Sequence, residues 1–123
     1  VVLTMNMVKI RALDVAVFND SRRFIEVAVE RYDNSIEGWS SFATYAMTHN
    51  SHESFRLLFN AYLSKNYNPQ HSERHRVSIF SNIGIAGFKN NSLECLKIFI
   101  EIVNLELPDL APMIFTNSIV MDL

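Results

Sequence analysis

Glycine and proline are scarce in this sequence, which has three residues of each among 123. Sandwiches and barrels need many tight turns, and glycine and proline supply most of them. Their scarcity therefore argues against an all-β fold. Hydrophobic residues make up 49% of the chain, which is enough apolar surface for one core at this length. These features predict a single all-α domain over residues 1–123.

Disulfides, a strong net charge and long apolar runs are also missing. The lone cysteine, Cys95, excludes an internal disulfide framework. The 11 basic and 13 acidic residues give a net charge of −2. The sequence has no long basic run, so a nucleic-acid partner is not predicted. No apolar run approaches the ~20 residues that span a bilayer, and no secretion signature is present. We expect a cytoplasmic protein without a membrane partner.

Apolar residues recur with helical spacing in two stretches that lie 41 positions apart. Positions i, i+3, i+4 and i+7 of an amphipathic helix lie on one face. The first stripe is Phe55, Leu58, Phe59 and Tyr62, and the second is Leu96, Phe99, Ile100 and Val103. We expect both stripes to face the interior.

Short polar turns divide the chain into about seven antiparallel helices. Asn19, Asn50 and Asn91 mark three of the turns, 31 and 41 residues apart, and Ser35 is expected to cap the third helix. The predicted units are about 4–32, 35–63 and 72–103, followed by a part unit of 109–121. The pattern predicts stacked helical hairpins in a short solenoid, and a non-repetitive helical bundle is the alternative. Because the chain does not begin with methionine, we expect a trimmed fragment or one domain of a longer protein.

Two segments, 46–59 and 87–100, resemble the core of the ankyrin repeat. In that family a helix ending in small residues is followed by a Gly-His turn, a Glu and an apolar run. Asn50 and Asn91 take the position of the turn Gly, and Glu53 and Glu94 take that of the Glu. The resemblance implies a degenerate array of helical hairpins that binds another protein.

Residues that could carry chemistry form no recognisable catalytic or metal-binding set. His71 and His75 are four apart, so their imidazoles could share a helix face, but no carboxylate or thiol completes a ligand set. Cys95 adjoins an apolar stripe and has no neighbouring base. Phosphate loops and nucleophile elbows are absent from the sequence. We expect no enzymatic activity, cofactor or metal.

The residues expected to contact a partner are aromatic or basic side chains near helix ends and in the longest loop. They are Trp39, His49, Lys65, Tyr67 and Arg74. Trp and Tyr are enriched in binding hot spots, although core packing is the alternative for Trp39. Three functions stay open: a protein-interaction module, a structural or oligomerisation domain that uses its terminal helices, and a ligand-binding or enzymatic bundle. In the second, further repeats or a second copy would cover those helices.

Overall fold

In the computed structural model, which describes residues 5–32 and 38–120, every regular element is helical. A π-helical turn, Tyr62–Asn66, follows the fourth of seven α-helices. The helices are α1 (Met5–Phe18), α2 (Arg22–Arg31), α3 (Trp39–Thr48), α4 (His52–Ala61), α5 (Glu73–Lys89), α6 (Leu93–Glu106) and α7 (Ala111–Val120). The all-α prediction is therefore confirmed, while Ser35 lies outside the described residues.

The helices pack in two layers. Helices α1, α3, α5 and α7 contact one another in that order, and α2, α4 and α6 form the second layer in the same way. Within each consecutive pair, α1 packs on α2, α3 on α4, and α5 on α6. The first stripe, on α4, is thus covered by its hairpin partner α3 and by the neighbouring helices α2 and α6.

The turns inside the three hairpins share one backbone hydrogen-bond pattern. In each turn a residue with positive φ follows the first helix: Asp20 (50°), Asn50 (53°) or Asn91 (54°). The next residue, a serine, donates its backbone N–H to a carbonyl five positions back, at 2.8–3.0 Å. The residue with positive φ donates its own backbone N–H to a carbonyl three positions back. The two bonds together define the Schellman motif. The first turn therefore aligns on Asp20, not on Asn19, and the equivalent residues are 30 and 41 positions apart.

The side chains of two of these left-handed residues bind the next hairpin. Asp20 Oδ1 accepts the backbone N–H of Ser54 at 2.9 Å. Asn50 Oδ1 accepts that of Cys95 at 3.1 Å. Both donors are the third residue of a helix, where backbone N–H groups have no intrahelical acceptor. We call this bond the lateral cap, because the acceptor comes from the preceding hairpin and not from the capped helix itself.

The lateral cap differs from the local capping that polar residues before a helix usually provide. Ser21, Ser51 and Ser92 occupy the cap positions of α2, α4 and α6, yet their hydroxyls make no cap hydrogen bond. Local capping by a serine hydroxyl is seen at Ser72, which accepts from the N–H of His75 at 3.2 Å.

Aromatic rings form the centre of the core between the layers. Phe59 lies 5.6 Å from Phe99 and 5.8 Å from Phe80, measured between ring centroids. Phe55 stacks on Phe59 at 5.2 Å, and Tyr62 meets Phe80 edge-on at 5.6 Å. The first predicted stripe is buried throughout.

The second stripe is only partly interior. Leu96, Phe99 and Val103 are buried, but Ile100 is 39% exposed. Ile100 occupies the position in α6 that Phe59 occupies in α4. Phe59 is covered by α5 and α6, and no helix of the described residues lies beyond α6 in its layer.

Two glycines allow close approach of helices to α5. A Cβ added at Gly84 would lie 2.1 Å from Ser118 Oγ and 2.7 Å from Ser118 Cβ on α7. At Gly87 it would lie 2.6 Å from Leu96 on α6 and 2.7 Å from the sulfur of Met47 on α3. Both glycines, which are unfavourable in a helix interior, are therefore explained by close packing.

The contribution of the lateral cap to the free energy of unfolding can be measured by comparing Asn50→Gly with Asn91→Gly. Both substitutions keep the left-handed backbone and raise the entropy of the unfolded chain equally. Only Asn50→Gly removes a lateral cap. We expect Asn50→Gly to be less stable than Asn91→Gly by about 1 kcal/mol, the usual value of a helix cap. Urea unfolding checks this difference, and equal stabilities would contradict it.

Candidate interaction surface

Trp39, predicted as a partner contact, lies in the core. Its side chain is 0% exposed, and its ring packs 6.1 Å from Phe42. The reason is that Trp39 is the first residue of α3, which is covered by α1, α4 and α5. Core packing, the alternative given for this residue, is what the structure shows, so Trp39 is removed from the candidate surface.

Lys65 belongs to the π-helical turn and faces the end of α2 and the start of α3. Its ammonium nitrogen lies 5.4 Å from the centre of the Trp39 ring and donates a hydrogen bond to the Val29 carbonyl. The adjacent Asn66 accepts the backbone N–H of Trp39 at 3.2 Å. Lys65 and Asn66 thus connect the turn to the end of α2 and the start of α3. We assign Lys65 a structural role.

Tyr67 is half-buried behind the same turn. Its ring lies 5.7 Å from Phe80 and 6.4 Å from Tyr62. Its hydroxyl accepts a hydrogen bond from Arg76 at 3.0 Å. Most of the ring is therefore used in packing, and the hydroxyl edge is the part that a partner could contact.

His49 lies on an exposed aromatic edge at the hairpin turns. Its ring centroid is 4.5 Å from Tyr45 and 5.4 Å from Phe18. The Phe18 side chain is 63% exposed, although the sequence analysis did not single it out. Because its ring contacts that of His49, Phe18 joins His49 on the candidate surface.

Arg74 lies at one end of a cavity of about 450 Å³ between α5 and α7. Val77, Ile85 and Met113 supply its apolar walls, and Asn82 and Asn117 supply carboxamides. Arg74 and Glu73 are neighbours at the start of α5, so the charges at that end are balanced. Arg74, one of the five predicted contact residues, thus lines this cavity.

A second cavity adjoins the first on the same layer. It has a volume of about 350 Å³ and lies between α3 and α5, lined by Ser40, Ser41, Thr44, Ile79 and Asn82. Asn82 lines both cavities. We call the two cavities together the Asn82 groove. It crosses the outer face of α3, α5 and α7, away from the layer of α2, α4 and α6.

The lining of the Asn82 groove combines apolar side chains with hydroxyl and carboxamide groups and is almost uncharged. Glu73 and Arg74 are its charged pair. A carboxamide both donates and accepts hydrogen bonds, as a peptide unit does. The groove can therefore match peptide groups without charge complementarity.

The histidines predicted to share a helix face do lie together. The ring centroids of His71 and His75 are 4.7 Å apart, edge to face. Within residues 5–32 and 38–120, no three His, Cys, Asp or Glu side chains are grouped so that they could hold a metal ion. The pair therefore lacks the further ligands that a closed metal site requires.

Cys95 is buried at the third position of α6. Its side chain is 0% exposed, and its sulfur lies 3.7 Å from the Ala46 carbonyl. Burial raises the pKa of Cys95 from 9.0 to about 12, with smaller contributions from Asp20 and Glu94. The thiol stays protonated at neutral pH and is a poor nucleophile.

Sequence reasoning missed Asn82, Asn117 and Phe18. The two asparagines lie on α5 and α7, 35 positions apart, and no local pattern links them. Phe18 is the last residue of α1, and its side chain is exposed where the chain turns toward α2.

Comparison of the chain with protein-family models, curated proteins and solved structures gave no match. Among the helices of the described residues, none combines the length and apolar character needed to cross a membrane.

The state of Cys95 can be checked with a thiol reagent, because it is the chain's single cysteine. Just below pH 9.0 the unfolded thiol is partly ionised, whereas the folded thiol is protonated and enclosed. We expect DTNB to label the folded protein only as fast as it opens, and the unfolded protein at once. Rapid stoichiometric labelling under native conditions would show that Cys95 is accessible.

Proposed function

We propose that this chain is a non-catalytic protein-interaction module built from ankyrin-like helical hairpins, acting in the cytoplasm. The observation that carries the proposal is the shared geometry of the three hairpin turns together with the two lateral caps. Each hairpin meets the next through the same kind of contact, as expected for stacked units. Such arrays serve chiefly to present a long surface to other proteins.

The turn residues support the ankyrin-like part of the proposal. The resemblance places the turn glycine of that family at Asn50 and Asn91. Both residues have positive φ, the backbone region that glycine adopts most readily. The units still differ from that family in lacking a Thr-Pro-Leu-His tetrapeptide; the matching residues are 41–44 and 82–85.

The Asn82 groove is the surface that we assign to the partner. It follows the contacts of α5 with α3 and α7, and its lining residues come from these three helices. Its balanced charge and hydrogen-bonding side chains suit a polypeptide better than a nucleic acid, whose phosphates need a basic surface. Arg74 would contact the partner at one end of the groove.

A display library of random peptides, selected on the immobilised chain, tests this assignment. We expect enriched peptides to bind in the Asn82 groove and to lose about tenfold in affinity on Asn82→Ala, equivalent to about 1.4 kcal/mol. Loss of a carboxamide that bonds a peptide group is the cause.

Asn104→Ala is the matched control, because Asn104 is an exposed helical asparagine in the other layer, on α6. It should leave the affinity unchanged. Failure to enrich any peptide, or equal effects of Asn82→Ala and Asn104→Ala, would remove the groove from the proposal.

A structural or oligomerisation role is the second candidate, favoured by apolar side chains at the α6 and α7 end. Leu105 is 74% exposed and Val120 is 56% exposed, and Leu93 and Ile119 are also exposed. Side chains of this kind on one end of a stack are normally covered by another unit.

Self-association through this end predicts that the mass of the wild-type chain rises with concentration. Val120→Lys should then restore the monomer, because it places a charge among apolar contacts. Analytical ultracentrifugation of both proteins measures this. A wild-type monomer at all concentrations would leave the interaction module as the sole proposal.

A further inference from the structure

The three left-handed turn residues differ in what their side chains bind. Asp20 caps α4 through Ser54, and Asn50 caps α6 through Cys95. Asn91 has the same backbone conformation and the same Schellman bonds. Its side chain is exposed and has no hydrogen-bond partner among residues 5–32 and 38–120. One end of the stack therefore carries a lateral-cap acceptor that is open.

The opposite end carries the matching donor. Phe24 is the third residue of α2, the position that Ser54 holds in α4 and Cys95 holds in α6. Its backbone N–H has no acceptor in the described part of the chain, whereas the next N–H, from Ile25, bonds Ser21. An open donor in the first hairpin and an open acceptor in the third are therefore left over.

The side chain at this third position separates Phe24 from its two counterparts. Ser54 and Cys95 are small and fully buried against the preceding hairpin. The Cys95 sulfur lies 3.7 Å from the carbonyl of Ala46 in the last turn of α3, so this side chain touches the preceding hairpin directly. The phenyl ring of Phe24 is much larger than a hydroxymethyl or thiol group, and Phe24 is 39% exposed.

The remaining surfaces of the two ends are alike in character. A cavity of about 450 Å³ between α1 and α2 is lined by Ala12, Val15, Ala16 and Phe24, with Arg11 and Ser21 at its edge. At the other end, Leu93 and Ile100 of α6 are exposed. Apolar surface would meet apolar surface if one copy stacked on another in the way that α2 meets α4.

We propose that the α6–α7 end of one molecule is a docking surface for the α1–α2 end of a second copy, with Asn91 as its acceptor, and that Phe24 is the residue that blocks this contact. A small residue at position 24 opens it. The contact is heterologous, because different surfaces meet, and a contact of this type extends into an open chain unless something stops it. Phe24 therefore keeps the stack from growing end to end.

Sedimentation of Phe24→Ala against the wild type tests the proposal. We expect the variant to form species larger than a dimer, with a mass that rises with concentration above that of the wild type. Adding Asn91→Gly should weaken this association about fivefold, because it removes the acceptor but keeps the left-handed turn. Phe24→Ser, which reproduces the residue found in α4, is the second variant and should behave in the same way.

Val27→Ala is the matched control. Val27 is an exposed apolar residue one turn later on α2. Because Val27→Ala leaves Phe24 in place, the mass of this variant in sedimentation should equal that of the wild type. The proposal is overturned if both Phe24 variants, shown to be folded by circular dichroism, sediment like the wild type. It is also overturned if Asn91→Gly leaves their association unchanged, or if Val27→Ala associates as strongly.

Discussion

The lateral cap is the interaction on which the stack depends. A helix that starts inside a packed structure has backbone N–H groups that water cannot reach, and leaving one unpaired costs about 1–3 kcal/mol. Here the acceptor is the side chain of the preceding turn, held 2.9 Å from Ser54 and 3.1 Å from Cys95. The left-handed conformation aims that side chain at the next hairpin. Asparagine and aspartate suit the position because they tolerate positive φ and carry a short acceptor, whereas glycine would supply only the conformation.

The geometry of this bond sets what the neighbouring positions can hold. Because the turn approaches the third residue of the next helix, that residue is small, as at Ser54 and Cys95. Gly87 is likewise small, and because it has no side chain α5 can lie against Met47 and Leu96. Once the hairpins are aligned in this way, Phe55, Phe59 and Phe99 come within ring contact across two hairpins. The aromatic core and the turns therefore determine the same alignment.

The helices and their stripes could be predicted from local spacing, because helix periodicity depends on residues three and four apart. The lateral caps could not, since their partners are 34 and 45 residues apart. The same limit explains the first turn, where Asn19 was aligned with Asn50 although Asp20 has the left-handed conformation. Ile100 shows a second limit: spacing identifies an apolar face but not whether another hairpin covers it. Trp39 shows a third, because a tryptophan at a helix start has the same local pattern whether it is buried or exposed.

The residues of the candidate site could be predicted only in part from the sequence. Lys65 and Tyr67 were chosen because they lie in a polar loop, but Lys65 belongs to a π-helical turn and Tyr67 follows it directly. Their side chains contact Trp39, Val29 and Phe80. Arg74 lines the Asn82 groove, and the residues that it joins there come from three helices.

The Asn82 groove takes no part in the lateral caps and lies outside the aromatic core. Substitutions at Asn82 or Asn117 should therefore leave the lateral caps and the aromatic core unchanged. The turn residues, in contrast, can be replaced by few others, because each of the two lateral caps needs a left-handed backbone, an acceptor side chain and a small neighbour. The residues that join the hairpins at the turns are therefore different from those that line the Asn82 groove.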